Sequence, residues 1–147
     1  MKDIPSVKII NLYETPMDID FYRKALSDAK AIIFQFPFYW ASAPAKMKEW
    51  CDEILIQLAK TPTVQDKPLM IATTTGSEYE SYRSGGRNGF TVDELLRPYQ
   101  LTANHSGMKW QTPFVLYGVD TPDSKKNLQT GTEAYRKIIE NFAKTAK

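Results

Sequence analysis

The sequence has very few residues of the kinds that bind metals or form cross-links. It contains one cysteine, Cys51, and one histidine, His105, among 147 residues. A single cysteine excludes an internal disulfide, and one histidine with one cysteine does not make up a zinc site. This composition fits a reducing compartment, and we expect no metal centre.

Long apolar runs and charge runs of one sign are also missing. No stretch approaches the roughly 20 apolar residues of a membrane-spanning helix, and the first ten residues lack the apolar core of a signal peptide. The 19 basic and 17 acidic residues are scattered and give a net charge of +2. No basic tract of the kind that follows nucleic-acid backbones is present. We therefore expect a cytoplasmic protein that neither spans a membrane nor binds nucleic acid.

Four short apolar runs are present, and segments with helical spacing separate them. The runs cover residues 7–13, 31–36, 68–73 and 113–117. This alternation predicts an α/β protein with a parallel sheet, and the length predicts a single domain over residues 1–147. The second run, AIIFQF, is apolar almost throughout. It therefore predicts a central strand that is buried on both faces.

Helical spacing predicts helices over residues 19–29 and 44–59, after Thr91, and over 133–147. In the second of these, Pro44 suits the first helical position. The spacing predicts a buried stripe and a solvent-facing set in this helix. The stripe consists of Met47, Trp50, Cys51, Ile54 and Leu58, and the solvent-facing residues are Lys46, Lys48 and Glu53.

Two loops follow the predicted strands where an open parallel sheet binds its ligands, outside the carboxyl ends of the strands. The first, residues 37–42, begins with a proline that ends the strand and continues with three aromatics. The second, residues 73–90, mixes hydroxyls, four glycines and two tyrosines, which brings backbone close to a ligand. Together they suit a flat heterocycle such as a flavin ring. The alternative is that the aromatics belong to the core and the glycines to a plain connection.

The segments AIIFQFPFYWASAPAKMKEWCDEIL and TTTGSEYESYRSGGRNGFTVDELLRPYQLTANHSGMKWQTPFVLYG resemble the flavodoxin-like NAD(P)H:quinone oxidoreductases, which include ancillary quinone reductases of potassium efflux. The resemblance spans roughly residues 7–118 and implies a flavodoxin-like three-layer sandwich. It also implies FMN, or FAD as the alternative, with NAD(P)H as co-substrate and a quinone-like acceptor. The partners it suggests are a second copy of the chain and a membrane transporter.

The resemblance assigns site residues to both loops. It implies that the ring of the flavin is held by Pro37, Phe38, Tyr39, Trp40, Thr74, Thr75, Gly76 and Ser77. It makes Tyr82 the catalytic residue beside the hydride-transfer site, followed by Asn88, Gly89 and Phe90. Ser77 stands where members of the family usually have a second glycine.

The family's first strand, phosphate-binding loop and first helix have no counterpart in this sequence, and residues 7–13 resemble its second strand. We therefore expect a sheet that lacks the first strand and an FMN affinity that is weak. Residues 7–13 either pair directly with residues 31–36, which we expect, or detach, or leave the pairing to a second copy. The alternative function is a non-catalytic or regulatory interaction subunit with impaired flavin binding.

Five other side chains have two interpretations each. Tyr82 either donates a hydrogen bond to a substrate oxygen or only caps the core. Arg83 and Arg87 either meet the phosphates of a nicotinamide nucleotide or are solvated loop charges, and we favour the latter. His105 is either catalytic or a structural or solvent-facing residue, and Cys51 either has a redox role or is an inert core thiol. We favour the second interpretation for both.

Overall fold

The computed structural model describes residues 4–145, with side chains up to residue 142. The strands are β1 (Ile32–Pro37), β2 (Pro68–Thr74), β3 (Lys109–Trp110) and β4 (Phe114–Leu116). The α-helices are α1 (Ile19–Asp28), α2 (Ala45–Trp50), α3 (Ile56–Leu58), α4 (Val92–Leu95), α5 (Arg97–Ser106) and α6 (Ser124–Thr145). A π-helical segment (Cys51–Leu55) joins α2 to α3, and a 3₁₀ turn (Tyr79–Tyr82) follows β2.

The sheet is parallel, as predicted, and β2 lies at its centre. β1 pairs with one edge of β2 from Ile32↔Leu69 to Pro37↔Thr74. β3 and β4 share the other edge, one near each end of β2. Between them, the amide of Gln111 donates to the carbonyl of Leu69 (2.9 Å) and continues the pairing.

Helices cover both faces of this sheet, which makes three layers. The larger core cluster includes Phe34, Ile71 and Leu96 and lies between the sheet and the helices α1 to α5. The smaller cluster includes Met70 and Tyr135 and lies under α6. Burial of the larger cluster supplies most of the apolar area that stabilises this fold.

The prediction of a central β1 buried on both faces is wrong. Ile32, Phe34 and Phe36 are buried in the larger cluster, but Ile33 is only half-buried and Gln35 is exposed. β1 is an edge strand in the described sheet, and its second face is covered by α6 together with Ile4 and Val7 of the N-terminal segment. The strand that is buried on both faces is β2, because Leu69 and Ile71 lie in the larger cluster and Met70 and Ala72 in the smaller one.

The prediction that residues 7–13 form a strand beside β1 is also wrong. This segment is irregular, and no backbone hydrogen bond joins it to β1 within residues 4–145. Val7 packs against the smaller cluster, whereas Ile10 and Leu12 pack against the larger one. Without that backbone pairing, the segment contributes its apolar side chains to both clusters as irregular chain.

The helices agree with the sequence prediction more closely. The helical run from Ala45 to Leu58 buries Met47, Trp50, Ile54 and Leu58. Within the predicted stripe, Cys51 is only half-buried. Lys48 and Glu53 are exposed, Lys46 is partly covered, and Pro44 is the N-cap rather than the first helical residue.

The last helix, α6, begins at Ser124, well before the predicted residue 133, and its predicted end at residue 147 lies outside the described residues. Gly131 allows α6 to lie close to the sheet, since a Cβ there would come within 2.5 Å of Leu116 Cδ1. Within the described part of the chain, no helix has the length and apolar character that a membrane crossing requires.

Candidate active site

The two loops singled out in the sequence lie side by side at the carboxyl ends of β1 and β2. Pro37 is the register partner of Thr74, and the amide of Phe38 donates to the Thr74 carbonyl (2.9 Å). Parallel strands with the same direction end at the same edge, so this contact follows from the fold itself. The structure therefore brings residues 37–40 and 74–77 together, as predicted.

The first loop is a tight hairpin whose tip is strained. Tyr39 and Ser42 exchange two backbone hydrogen bonds (2.8 and 3.0 Å). The two residues between them have positive φ angles, +50° for Trp40 and +59° for Ala41. Residues other than glycine rarely adopt such backbone angles. Trp40 is fully exposed. The hairpin thus keeps a large aromatic side chain in solvent at a cost in backbone energy.

Tyr99 on α5 holds this hairpin in place, a contact that sequence reasoning missed. Its hydroxyl accepts from the amide of Ala43 (2.9 Å) and lies 3.0 Å from Ser42 Oγ. Its ring also lies against Phe36, with 5.1 Å between the ring centroids. Because α5 is remote in sequence, no local pattern indicates this support.

The second loop is fixed by the residues that follow β4. The amide of Thr75 donates to the carbonyl of Leu116 (2.9 Å). In return, Gly118 donates to Ser77 (2.9 Å) and Asp120 donates to the carbonyl of Gly76 (3.1 Å). A Cβ at Gly76 would lie 2.4 Å from Asp120 Oδ2. Glycine at this position therefore permits the close approach of the Asp120 side chain.

Both loops leave backbone donors available. The amides of Trp40, Ala41, Gly76 and Ser77 make no hydrogen bond within residues 4–145. Unpaired amides in a turn bind the oxygen and nitrogen acceptors of a ligand. Together with the exposed rings of Tyr39 and Trp40, these donors fit the edge and face of an isoalloxazine ring.

The structure offers fewer groups that could bind the phosphate of FMN. The first turn of α1 is capped by the Asp18 carboxylate, which accepts from Asp20 and Phe21. The first turn of α4 is closed by a capping box between Thr91 and Glu94. Neither helix offers free N-terminal amides to a phosphate, although such amides are a common anion site.

Tyr82, the predicted catalytic residue, is half-buried between the first loop and a cavity. Its ring centroid lies 6.3 Å from that of Phe38 and 6.0 Å from that of Tyr117. The cavity has a volume of about 200 Å³, and its lining includes Tyr79, Arg83, Asp93 and Tyr117. Sequence reasoning missed Asp93 and Tyr117 as site residues, because each lies on a different element from Tyr82.

The remaining candidates differ in their surroundings. Arg83 donates to Glu80 (2.8 Å), whereas Arg87 donates to the hydroxyl of Ser77 (2.6 Å) on the second loop. His105 is exposed in the last turn of α5. Burial, aided by Asp52, raises the pKa of Cys51 to about 11, which suits an unreactive thiol.

The segment Asn88, Gly89 and Phe90 closes the second loop. Asn88 donates its amide to the carbonyl of Ser81 (3.0 Å), and Phe90 is exposed. Within residues 4–145, no group of three or more His, Cys, Asp or Glu side chains is arranged to hold a metal ion.

Residues 2–139 match the family described as flavodoxin-like fold. Among similar proteins, General stress protein 14 of Bacillus subtilis is 39% identical over 71% of this chain, and the match covers 62% of that protein, which is less than two thirds of its length. The uncharacterized NAD(P)H oxidoreductase YdeQ of the same species is 34% identical over 94% of this chain and 74% of that protein. The potassium-efflux ancillary protein KefG of Cronobacter sakazakii is 34% identical over 78% of this chain and 66% of that protein.

Solved structures share the fold. A structure described as a thermophilic tryptophan halogenase from Streptomycin violaceusniger superposes with a TM-score of 0.85 at 34% identity, covering 92% of this chain and 83% of that one. An NADPH-quinone reductase from P. pentosaceus gives 0.69 at 27% identity, covering 80% and 73%. The FMN complex of general stress protein 14 from Treponema denticola gives 0.77 at 24% identity, covering 85% and 73%, and at that identity shows the fold alone.

Proposed function

Because this chain belongs to the flavodoxin-like fold family, we propose that it is an FMN-dependent NAD(P)H:quinone oxidoreductase. The names of YdeQ as an NAD(P)H oxidoreductase and of the P. pentosaceus protein as a quinone reductase support this proposal. The observation that carries it is the pair of adjacent loops at the ends of β1 and β2, which leave four amides and two aromatic rings available for a flavin.

The reaction converts NAD(P)H, a proton and a quinone into NAD(P)⁺ and a hydroquinone, with two electrons transferred. FMN, when bound, supplies the ring that accepts the hydride and passes it on. The residues of this chain bind and orient that ring through the amides of Trp40, Ala41, Gly76 and Ser77. Tyr82, beside Phe38, positions the substrate oxygen and donates a hydrogen bond to it.

The affinity for flavin tests the cofactor site. We expect the purified protein to quench FMN fluorescence with a saturable but weak affinity. Since the first turns of α1 and α4 are already capped, riboflavin, which lacks the phosphate, should bind within about threefold of FMN, a difference below 1 kcal/mol. Tight FMN binding with much weaker riboflavin binding would contradict the inference that the phosphate is poorly held.

Turnover tests the reaction. Protein reconstituted with FMN should oxidise NADH or NADPH in the presence of a quinone, followed at the absorbance of the nicotinamide. Trp40→Ala should lower FMN affinity by about tenfold, or 1.4 kcal/mol, because an exposed ring at the site is lost. Tyr13→Ala, which removes another exposed aromatic outside the site, is the matched control. Equal effects of the two variants on FMN affinity would show that the hairpin does not belong to the flavin site.

A second candidate is a non-catalytic interaction subunit. The similarity to KefG, which is named as an ancillary protein of a potassium-efflux system, supports a membrane transporter as its partner. The outer edge of β1 also has no strand paired to it within the described residues. Protein that quenches the fluorescence of neither FMN nor riboflavin and turns over no quinone would favour this candidate.

We also propose that the protein forms a homodimer, as the resemblance implies. Light scattering after size-exclusion chromatography measures the mass directly, against 16.8 kDa for one chain. A monomer at all concentrations used for the activity assay would reject this proposal.

A further inference from the structure

The cavity beside Tyr82 has an aromatic lining that comes from two parts of the chain. Tyr79 and Tyr82 come from the 3₁₀ turn, and Tyr117 follows β4. The rings of Tyr79 and Tyr117 meet edge to face, with 5.3 Å between their centroids. At about 200 Å³, the cavity is smaller than the 300–1,000 Å³ common for drug-sized ligands. Its size and lining suit a small planar ring.

The two charged side chains in the lining differ in their partners. The guanidinium of Arg83 is bonded to Glu80 (2.8 Å) and lies over the ring of Tyr79, 5.7 Å from its centroid. Asp93 has no ion-pair partner within residues 4–145. The unneutralised charge in the cavity is therefore negative, and it repels an anionic ligand.

We propose that this cavity holds the electron acceptor, and that Asp93 makes it select a small, planar, uncharged quinone over an anionic one. This inference rests on the proposed function and names the substrate class of the same site. Because Tyr82 contacts both the cavity and Phe38, an acceptor in the cavity lies next to the loop that fits the flavin ring.

The tyrosine hydroxyls supply the polar contacts that a quinone needs. Burial, followed by Asp93 and the neighbouring Tyr79 and Tyr82, raises the pKa of Tyr117. Its hydroxyl carries a proton that it can donate to a quinone carbonyl. Arg87 does not line the cavity, and its guanidinium donates to the hydroxyl of Ser77.

The experiment compares two acceptors of similar shape, neutral 2-methyl-1,4-naphthoquinone and anionic 1,4-naphthoquinone-2-sulfonate. With FMN-loaded protein, kcat/KM should be higher for the neutral quinone. Asp93→Asn should raise kcat/KM for the sulfonate about fivefold relative to that for the neutral quinone, a modest change because the Asp93 carboxylate is exposed to solvent. Tyr117→Phe, which keeps the ring, should lower kcat/KM for the neutral quinone and leave FMN affinity unchanged.

Glu53→Gln is the matched control, because it removes one exposed carboxylate from the helix outside the cavity. It should leave the ratio of the two kcat/KM values unchanged. A ratio that Asp93→Asn does not alter, or alters no more than Glu53→Gln does, overturns the assignment of the cavity while the reductase function stands.

A binding measurement tests the cavity independently of the reductase function. Equilibrium dialysis of the flavin-free protein measures the affinity for each quinone directly. Binding of the neutral quinone that Tyr117→Ala abolishes, with no turnover by the FMN-loaded protein, would retain the cavity and reject the reductase. Binding of neither quinone, or equal binding of both, would reject the cavity as an uncharged-acceptor site.

Discussion

The strands β1 and β2 are similar in sequence character but differ in their surroundings. Both are short, mainly apolar and paired in register along their whole length. β2 has neighbours on both edges and five consecutive buried residues, whereas β1 has one neighbour and alternates between buried and exposed positions. The difference shows that apolar content identifies a strand, while its position in the sheet depends on which other segments reach its edges.

The largest expected difference between the two strands is tested by truncating an isoleucine in each of them. Ile71 in β2 is fully buried, and Ile33 in β1 is half-buried. Ile71→Ala should lower the free energy of unfolding by about 3–5 kcal/mol, and Ile33→Ala by about 1–2 kcal/mol. Urea denaturation measures both values. Equal losses would mean that β1 is covered in solution by something beyond the described fold.

Alkaline pH should lower the free energy of unfolding, because it ionises groups that are packed on both faces of β1. Burial raises the pKa of Cys51 to about 11 and that of Tyr135 to about 12. Each group keeps its proton to a higher pH in the folded state than in the unfolded state. The contribution of both groups to stability is therefore fully present below about pH 9 and is lost as the pH rises toward 11 and 12.

Denaturation by urea at a series of pH values measures this loss. Cys51→Ala should retain more of its stability than the unmodified protein between pH 9 and 11, because one of the two groups no longer titrates. Identical pH dependence of the two proteins would show that the Cys51 thiol is not buried in the folded state.

The thinly covered face of β1 can be tested through one hydrogen bond. Tyr135 on α6 donates its hydroxyl to Gln35 Oε1 (2.9 Å). Tyr135→Phe should lower the free energy of unfolding by about 1 kcal/mol, because the bond is lost while the ring still packs on Phe114. Tyr13→Phe, at an exposed position, is the control and should change it by less than about 0.5 kcal/mol.

We expect the smallest change in the free energy of unfolding from a substitution in the hairpin after β1, and this change should be an increase. Ala41→Gly should raise the free energy of unfolding by about 0.5–1 kcal/mol, because glycine adopts a φ of +59° without strain. Ala134→Gly, in the exposed part of α6, should instead lower it by about 1 kcal/mol. A loss of stability in Ala41→Gly would show that the positive φ at the tip carries no strain.

Sequence reasoning identified the loops of the candidate site but only part of its surroundings. Pro37 and Gly76 are local signals, since Pro37 ends β1 and Gly76 lies in the turn just after β2, where backbone amides are free. Tyr99 and Asp93 gave no such signal, although one holds the hairpin and the other lines the cavity. Their contribution depends on α4 and α5 lying against the ends of β1 and β2.

The N-terminal segment was predicted least well. Its apolar residues suggested a strand, but the segment is irregular and no backbone hydrogen bond joins it to β1 within residues 4–145. Apolar character alone does not distinguish a strand from a segment that covers two faces, because both bury the same side chains.

The sequence by itself determined the alternation of strands and helices, the parallel sheet, the apolar stripe of the helical run from Ala45 to Leu58 and the two loops after the strands. These features depend on periodicity, proline and glycine, which act over a few residues. Only the tertiary structure decided that β2 is central, that β1 is an edge strand, and that Tyr79, Tyr82 and Tyr117 share one cavity. Those outcomes depend on contacts between residues far apart in the chain, which local pattern does not encode.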